Sequence, residues 1–187
     1  MKQIFYDLET TGVKFWKNSI HQLSGMVVID GEIKDTFNIK MQPYPDAVIE
    51  DEALAIAGIT REDLKTYQAF GMAYREFVKV ITPHVDKFDK KDKFHLVGYN
   101  NASFDNQFLR AFFVQNKDNY FGSWFWSDTI DVMVLASQFL KDRRSEMENF
   151  KLATVAKFLG IEVDEAKTHD ALYDIELTMD IYEKVIA

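Results

Sequence analysis

The chain of 187 residues contains no cysteine. This absence excludes disulfide bonds and zinc sites built from thiolates, and it fits a reducing compartment, so we expect a cytoplasmic protein. Long apolar runs are also missing, since no stretch approaches the ~18 consecutive apolar residues of a membrane-spanning helix. The N-terminus shows no signal-peptide pattern. We therefore expect a soluble protein with no membrane partner.

Basic residues are also fewer than acidic residues. Lysine and arginine together number 22 against 30 aspartates and glutamates, which gives a formal net charge of −8. This balance argues against a protein that grips nucleic acid mainly through a basic face. It does not exclude an enzyme acting on nucleic acid, because a site built from carboxylates is itself acidic and bound cations reverse the local sign.

The order of the hydrophobic patterns predicts one domain over residues 1–187, with no internal repeat or low-complexity linker. The patterns predict strands at about 4–9, 22–29, 33–41 and 94–98, and helices at about 51–57, 69–81, 104–116, 130–140, 150–159 and 170–186. Asp30-Gly31 is a two-residue hairpin signal. Strands followed by strand–helix units predict an α/β fold, in which a mixed sheet of antiparallel hairpin strands and parallel strands carries helices on both faces.

Two carboxylates stand on the first predicted strand. Asp7 and Glu9 are two residues apart, so both side chains leave the same face of the sheet. They repel each other unless a cation lies between them, and oxygen ligands of this kind suit Mg²⁺ or Mn²⁺. On its own, the pair fits a charged strand edge equally well.

Two further acids lie near predicted helix starts. Asp105 follows the strand at 94–98 and opens a helix rich in phenylalanine, where the helix dipole alone also favours a carboxylate. Asp174 borders the apolar stripe of the last helix and faces partly inward, so it needs a partner that a metal would supply. His169 precedes that helix, although an isolated histidine is more often a surface residue.

Taken together, three segments resemble the DEDDh group of 3′→5′ exonucleases. They are residues 5–12 (FYDLETTG), 96–105 (LVGYNNASFD) and 169–174 (HDALYD). In the sister DEDDy group a tyrosine stands four residues before the last aspartate, where this chain has Asp170, so the histidine version is indicated. Weaker similarity at 57–64, 127–129 and 152–161 extends the resemblance over nearly the whole chain. One departure is Tyr99, where many proofreading relatives have histidine.

The resemblance implies a ribonuclease H-like fold and a two-metal mechanism. It implies that two divalent metal ions, Mg²⁺ or Mn²⁺, are held by Asp7, Glu9, Asp105 and Asp174. His169 would act as general base, which suits a neutral imidazole with a pKa near ~6.5. The residues implied to border the 3′-terminal nucleotide are Leu8, Thr10, Thr11 and Phe104. The products would be nucleoside 5′-monophosphates.

Several alternatives stay open at this point. The substrate is expected to be the 3′ end of single-stranded DNA, but the motifs serve exonucleases of short RNA equally well. A polymerase-associated proofreading subunit, whose main role is binding, is another interpretation. A ribonuclease H-type endonuclease would share the four acids, although the spacing of His169 disfavours it. Trp124, Phe125 and Trp126 could stack bases, while aromatic runs more often fill cores.

Overall fold

A computed structural model describes residues 1–167 and 170–187. The strands in these residues are β1 (Lys2–Thr10), β2 (Ile20–Ile29), β3 (Glu32–Lys40), β4 (His95–Gly98) and β5 (Ile130–Asp131). They form one sheet in the order β3-β2-β1-β4-β5. β2 is antiparallel to β1 and β3, whereas β4 is parallel to both β1 and β5. The predicted mixed sheet is confirmed.

Helices cover both faces of this sheet. The helices in the described residues are α1 (Asp51–Ile56), α2 (Arg61–Thr66), α3 (Phe70–Ile81), α4 (Asp105–Gln115), α5 (Phe121–Trp124), α6 (Val132–Phe139), α7 (Leu152–Phe158) and α8 (Ala171–Ile186). Two 3₁₀ turns follow α3 and α6, at Thr82–His84 and Lys141–Glu146. Over this same part of the chain, no helix is long and apolar enough to cross a membrane.

The alternation of β1 divides the interior into two cores. Ile4, Tyr6 and Leu8 point into a core that includes the buried faces of α3 and α4. Phe5 points the other way, into a core formed with α6, α7 and α8. Because side chains alternate along a strand, Asp7 and Glu9 share the face of Phe5, towards α8. The packing of β1 therefore determines that α8 is the helix that lies against the face carrying Asp7 and Glu9.

The hairpin turn and the end of α7 have the backbone conformations that the sequence predicts. Asp30 and Gly31 both have positive φ, 52° and 84°, as a two-residue hairpin turn of type I′ requires. Gly160 takes φ 73° two residues after α7 ends at Phe158. Its amide donates to the Lys157 carbonyl at 2.9 Å, which ends the helix as predicted.

Several elements differ from the sequence prediction, and one of them is the short helix α5, which was not predicted. The helix predicted at 130–140 is wrong at its start, because Ile130–Asp131 is extended and pairs with β4 before α6 begins. The helix α2 was not predicted, although Thr60 and Asp63 form a capping box. That box is visible in the sequence, where a threonine precedes an acid by three residues.

Candidate active site

The central strand presents the first two carboxylates. Asp7 and Glu9 are partly buried on the face of β1 that packs against α8. Both lie near the carboxyl end of the strand, which ends at Thr10. Because β4 runs parallel to β1, the segment that follows β4 emerges at the same edge of the sheet.

The segment between β4 and α4 delivers Asp105 to this edge. It turns sharply after Gly98, where an added Cβ would come within 2.8 Å of the Asn101 Cβ and 3.1 Å of the Tyr6 carbonyl oxygen. Asp105 is the first residue of α4 and is 6% exposed. The backbone amide of Leu8 hydrogen-bonds the Asp105 carboxylate and lowers its pKa, which links α4 directly to β1.

The first turn of α8 carries Asp174. The Asp170 side chain caps this helix by accepting from the amides of Leu172 and Tyr173, both at 3.1 Å. Buried Ile175 and Ile181 fasten the helix to the core beneath β1. Asp174 is thereby held partly buried on the side of α8 near the sheet.

The electrostatics show that the acids act on one another. Burial raises the pKa of Asp7 well above its ordinary value, and the charges of Asp105, Glu9 and Asp174 raise it further. Burial also raises the pKa of Asp105 to about 7, with smaller contributions from Glu9 and Asp131. Without a cation, the cluster therefore retains protons at neutral pH.

A divalent cation fits this donor set on chemical grounds. Among residues 1–167 and 170–187, no three histidine, aspartate or glutamate side chains are arranged as an assembled metal site. The fit rests instead on the donors, since carboxylate oxygens are what Mg²⁺ and Mn²⁺ prefer. It also rests on mutual repulsion, which a bound cation would relieve.

His169 lies outside the described residues, so its role as general base stays a prediction. The same holds for the assignment of metal ligands to the four acids. The structure does bring Glu9, Asp105 and Asp174 within electrostatic reach of Asp7.

The residues predicted to border the substrate are largely used within the fold. Leu8 is 5% exposed and belongs to the core. The Thr11 hydroxyl donates to the Val48 carbonyl at 2.9 Å and accepts from the Ser19 amide at 2.9 Å. The Thr10 hydroxyl donates to the Gly12 carbonyl at 2.8 Å. Contacts from Leu8 and Thr11 to a substrate would therefore come through backbone groups, and these assignments stay predictions.

The aromatic residues considered as substrate contacts lie in different environments. Phe104 is partly buried and packs its ring against Phe108, with ring centroids 5.0 Å apart. Trp124 and Phe125 are 2% and 1% exposed within the core. The prediction that these two residues could stack bases is therefore wrong. The ring of Trp126 is partly exposed and lies over His95, with centroids 6.0 Å apart.

The structure adds Asp131, which sequence reasoning missed. Its carboxylate is 8% exposed and accepts from the amides of Asn100 at 3.0 Å, Ala102 at 3.3 Å and Met133 at 3.0 Å. It therefore caps α6 and also holds the segment that leads to Asp105. An aspartate before an apolar helix is a capping signal, but its second role depends on a contact between distant segments.

A mixed sheet with a cluster of acids at the end of its central strand is the arrangement expected of an α/β domain of the nuclease class. A family described as exonuclease matches residues 4–182. The chain belongs to this exonuclease family. The chain also superimposes on the structure of E. coli exonuclease I in complex with a dT13 oligonucleotide, with a TM-score of 0.76 at 20% identity, over 99% of this chain and 40% of that one. The predicted ribonuclease H-like fold is confirmed.

This chain spans different shares of the curated relatives that it matches. Exodeoxyribonuclease I of Buchnera aphidicola is 28% identical over 193 residues, which covers 95% of this chain and 38% of the relative. Ribonuclease T of Shewanella denitrificans is 25% identical over 197 residues, covering 98% of this chain and 79% of the relative. DNA polymerase III PolC-type of Mycoplasmopsis pulmonis is 24% identical over 180 residues, or 96% of this chain, which spans 11% of that polymerase.

Proposed function

We propose that this chain is a 3′→5′ exonuclease that releases nucleoside 5′-monophosphates from the 3′ end of nucleic acid. The observation that carries the proposal is the convergence of Asp7, Glu9 and Asp105 with Asp174 at one sheet edge, where burial and mutual repulsion raise the pKa values of two of them. Membership of the exonuclease family supports the reaction class. A cytoplasmic location, suggested by the lack of cysteine, belongs to the same proposal.

In this mechanism the four acids would hold two divalent ions, Mg²⁺ or Mn²⁺. When bound, the ions supply positive charge that stabilises the phosphorane-like transition state and lowers the pKa of water. His169 accepts a proton from the attacking water as the new bond to phosphorus forms. The bond between phosphorus and the 3′ oxygen of the penultimate nucleotide breaks, and that oxygen takes a proton from solvent to become the new 3′ hydroxyl.

Single-stranded DNA is the substrate that we favour. A homologous fold has been solved with a dT13 oligonucleotide bound, which supports an unpaired DNA strand. The similarity to ribonuclease T keeps short RNA as the second candidate. The similarity to PolC-type polymerases, which covers 96% of this chain, is the observation that favours a polymerase partner.

Metal dependence can be tested on purified protein with end-labelled oligonucleotides. We expect hydrolysis to stop in EDTA and to return with Mg²⁺ or Mn²⁺, because the donor set consists of carboxylates that suit hard cations. Asp7→Ala should remove both the hydrolytic activity and the metal binding measured by calorimetry. Parallel assays on single-stranded DNA, duplex DNA and RNA would rank the substrates. Undiminished hydrolysis in EDTA would refute the metal-dependent mechanism.

A further inference from the structure

An exposed aromatic lies on the loop that follows the strand of Asp7 and Glu9. We call residues 12–18 the Trp16 loop. The Trp16 side chain is 72% exposed, and Lys14 and Lys17 on either side of it are exposed as well. An exposed tryptophan between two lysines presents a flat apolar ring together with positive charge, in a chain whose net charge is −8.

The loop is held firmly although its tryptophan is not buried. Asn18 is 2% exposed, its side chain accepts from the Lys14 amide at 2.9 Å, and it donates to the Val48 carbonyl at 2.9 Å. Phe15 packs on the core and meets the Trp16 ring edge-on, with centroids 5.1 Å apart. The ring is thus supported from one side while most of its surface faces solvent. A preorganised ring loses less entropy when it binds a partner.

The position of the loop relates it to the acid cluster. The Thr11 amide donates to the Ser19 carbonyl at 2.8 Å, which closes the loop at the carboxyl end of β1. Asp105 reaches the cluster from the same edge of the sheet. Trp16 follows Glu9 by seven residues, so the two Cα atoms are at most about 25 Å apart. The loop and the acid cluster thus lie at the same end of the sheet, and a single strand that enters the cluster can extend over this distance towards Trp16.

We propose that Trp16 stacks on an unpaired base upstream of the scissile bond, with Lys14 beside the neighbouring phosphates. The proposal rests on the proposed exonuclease function and names a subsite for it. Every base offers a π face, so such a platform binds single strands with little regard to sequence. Lys17 also pairs with Glu50 at 3.3 Å, which leaves Lys14 as the principal cation of the loop. The site would favour single strands over duplexes, whose bases are stacked inside.

The test measures binding of labelled single-stranded DNA in EDTA, where hydrolysis is excluded. For an oligonucleotide of about twelve residues, Trp16→Ala should weaken binding by roughly 5- to 150-fold, and Trp16→Phe should restore most of it. For a nucleoside 5′-monophosphate, which has no base upstream of a scissile bond, the difference should shrink to about twofold or less. Lys14→Ala should reduce the slope of log K against log salt by about 0.7, the value for one phosphate contact on a single strand.

Phe88→Ala is the matched control. Phe88 is 85% exposed and has the ammonium of Lys87 5.5 Å from its ring centroid, yet it precedes β4 and so lies towards the opposite edge of the sheet. Binding by this variant should equal that of the wild type. Equal loss in Phe88→Ala and Trp16→Ala would show a nonspecific effect of exposed rings and would overturn the proposal.

Other outcomes separate this subsite from the proposed function. Wild-type affinity of Trp16→Ala for the long strand would overturn the subsite, as would equal weakening for the long strand and for the mononucleotide. Sedimentation of the wild type as a dimer that Trp16→Ala dissociates would overturn it in favour of an interface between copies. Trp16-dependent DNA binding without hydrolysis in Mg²⁺ or Mn²⁺ would support the subsite and contradict the exonuclease function.

Discussion

Asp105 connects the chemistry of the site to the stability of the fold. Its carboxyl is buried beside other acids, and its pKa is raised from 3.8 to about 7. The folded chain therefore binds more protons than the unfolded chain between about pH 4 and pH 7, so the metal-free protein loses stability as the pH rises through that window. A cation bound at neutral pH would replace the proton and remove this penalty.

Replacing Asp105 with asparagine should therefore stabilise the metal-free protein. Asparagine keeps an oxygen that can accept from the Leu8 amide but cannot ionise. We expect the free energy of unfolding in EDTA at about pH 8 to rise by on the order of 1–4 kcal/mol, and the gain to fade towards about pH 4. Thermal denaturation across this pH range measures the effect. A variant that is less stable than the wild type at both ends would contradict the assigned pKa shift.

His169 calls for a kinetic rather than a thermodynamic measurement. As general base it should contribute about 10²–10⁴-fold to turnover, so His169→Ala should lose that factor while metal affinity stays near that of the wild type. The wild-type rate should rise with pH through the histidine's titration, and the variant should lose this step. His84→Ala is the control, since the His84 carbonyl accepts from Lys2 at the start of β1, away from the acids. Turnover within twofold of wild type in His169→Ala would contradict its role as general base.

At the scale of elements, hydrophobic periodicity predicted those that carry the four acids. Alternation over β1 placed Asp7 and Glu9 on one face, and the apolar stripe of α8 turned Asp174 towards the sheet. Elements defined by pairing or by a few residues were missed. Residues 130–131 form a strand because β4 lies beside them. Trp124 is buried because it packs in a core built from residues distant in sequence. Neither fact is contained in a local pattern of residues.

The segment before Asp105 depends on Asp131, and this dependence can be measured. Asp131→Ala would leave the amides of Asn100, Ala102 and Met133 without their acceptor, so we expect a stability loss on the order of 2–4 kcal/mol. Activity at low temperature, where the variant is still folded, should fall as well, because Asp105 loses its support. Asp131→Asn should restore part of both.

Thr60→Ala is the control for a simple loss of a helix cap. Thr60 caps α2, and its loss should cost about 1 kcal/mol while turnover remains unchanged. If Asp131→Ala lowered stability but turned over at the wild-type rate when folded, Asp131 would be a helix cap and nothing more.

At the scale of the whole molecule, the fold and the family were predictable because three separated motifs occur in order along one chain. Substrate identity was not, since relatives named for DNA and for RNA both match this chain over nearly its whole length. The acidic net charge also concealed the local distribution, in which Lys14, Trp16 and Lys17 form a basic aromatic loop after the strand that carries Asp7 and Glu9. A sequence total cannot show such an arrangement, because it depends on which residues the sheet brings to one edge.

The direction of digestion tests the central claim most directly. A single-stranded oligonucleotide with a bulky group on its 3′ end should resist digestion in Mg²⁺, whereas the same strand blocked at its 5′ end should be shortened from the 3′ end to nucleoside 5′-monophosphates. Asp174→Ala should leave both strands intact. A circular single strand should also survive, since it has no end. Cleavage of that circle by the wild type, with Asp174→Ala inactive, would show an endonuclease and contradict the account.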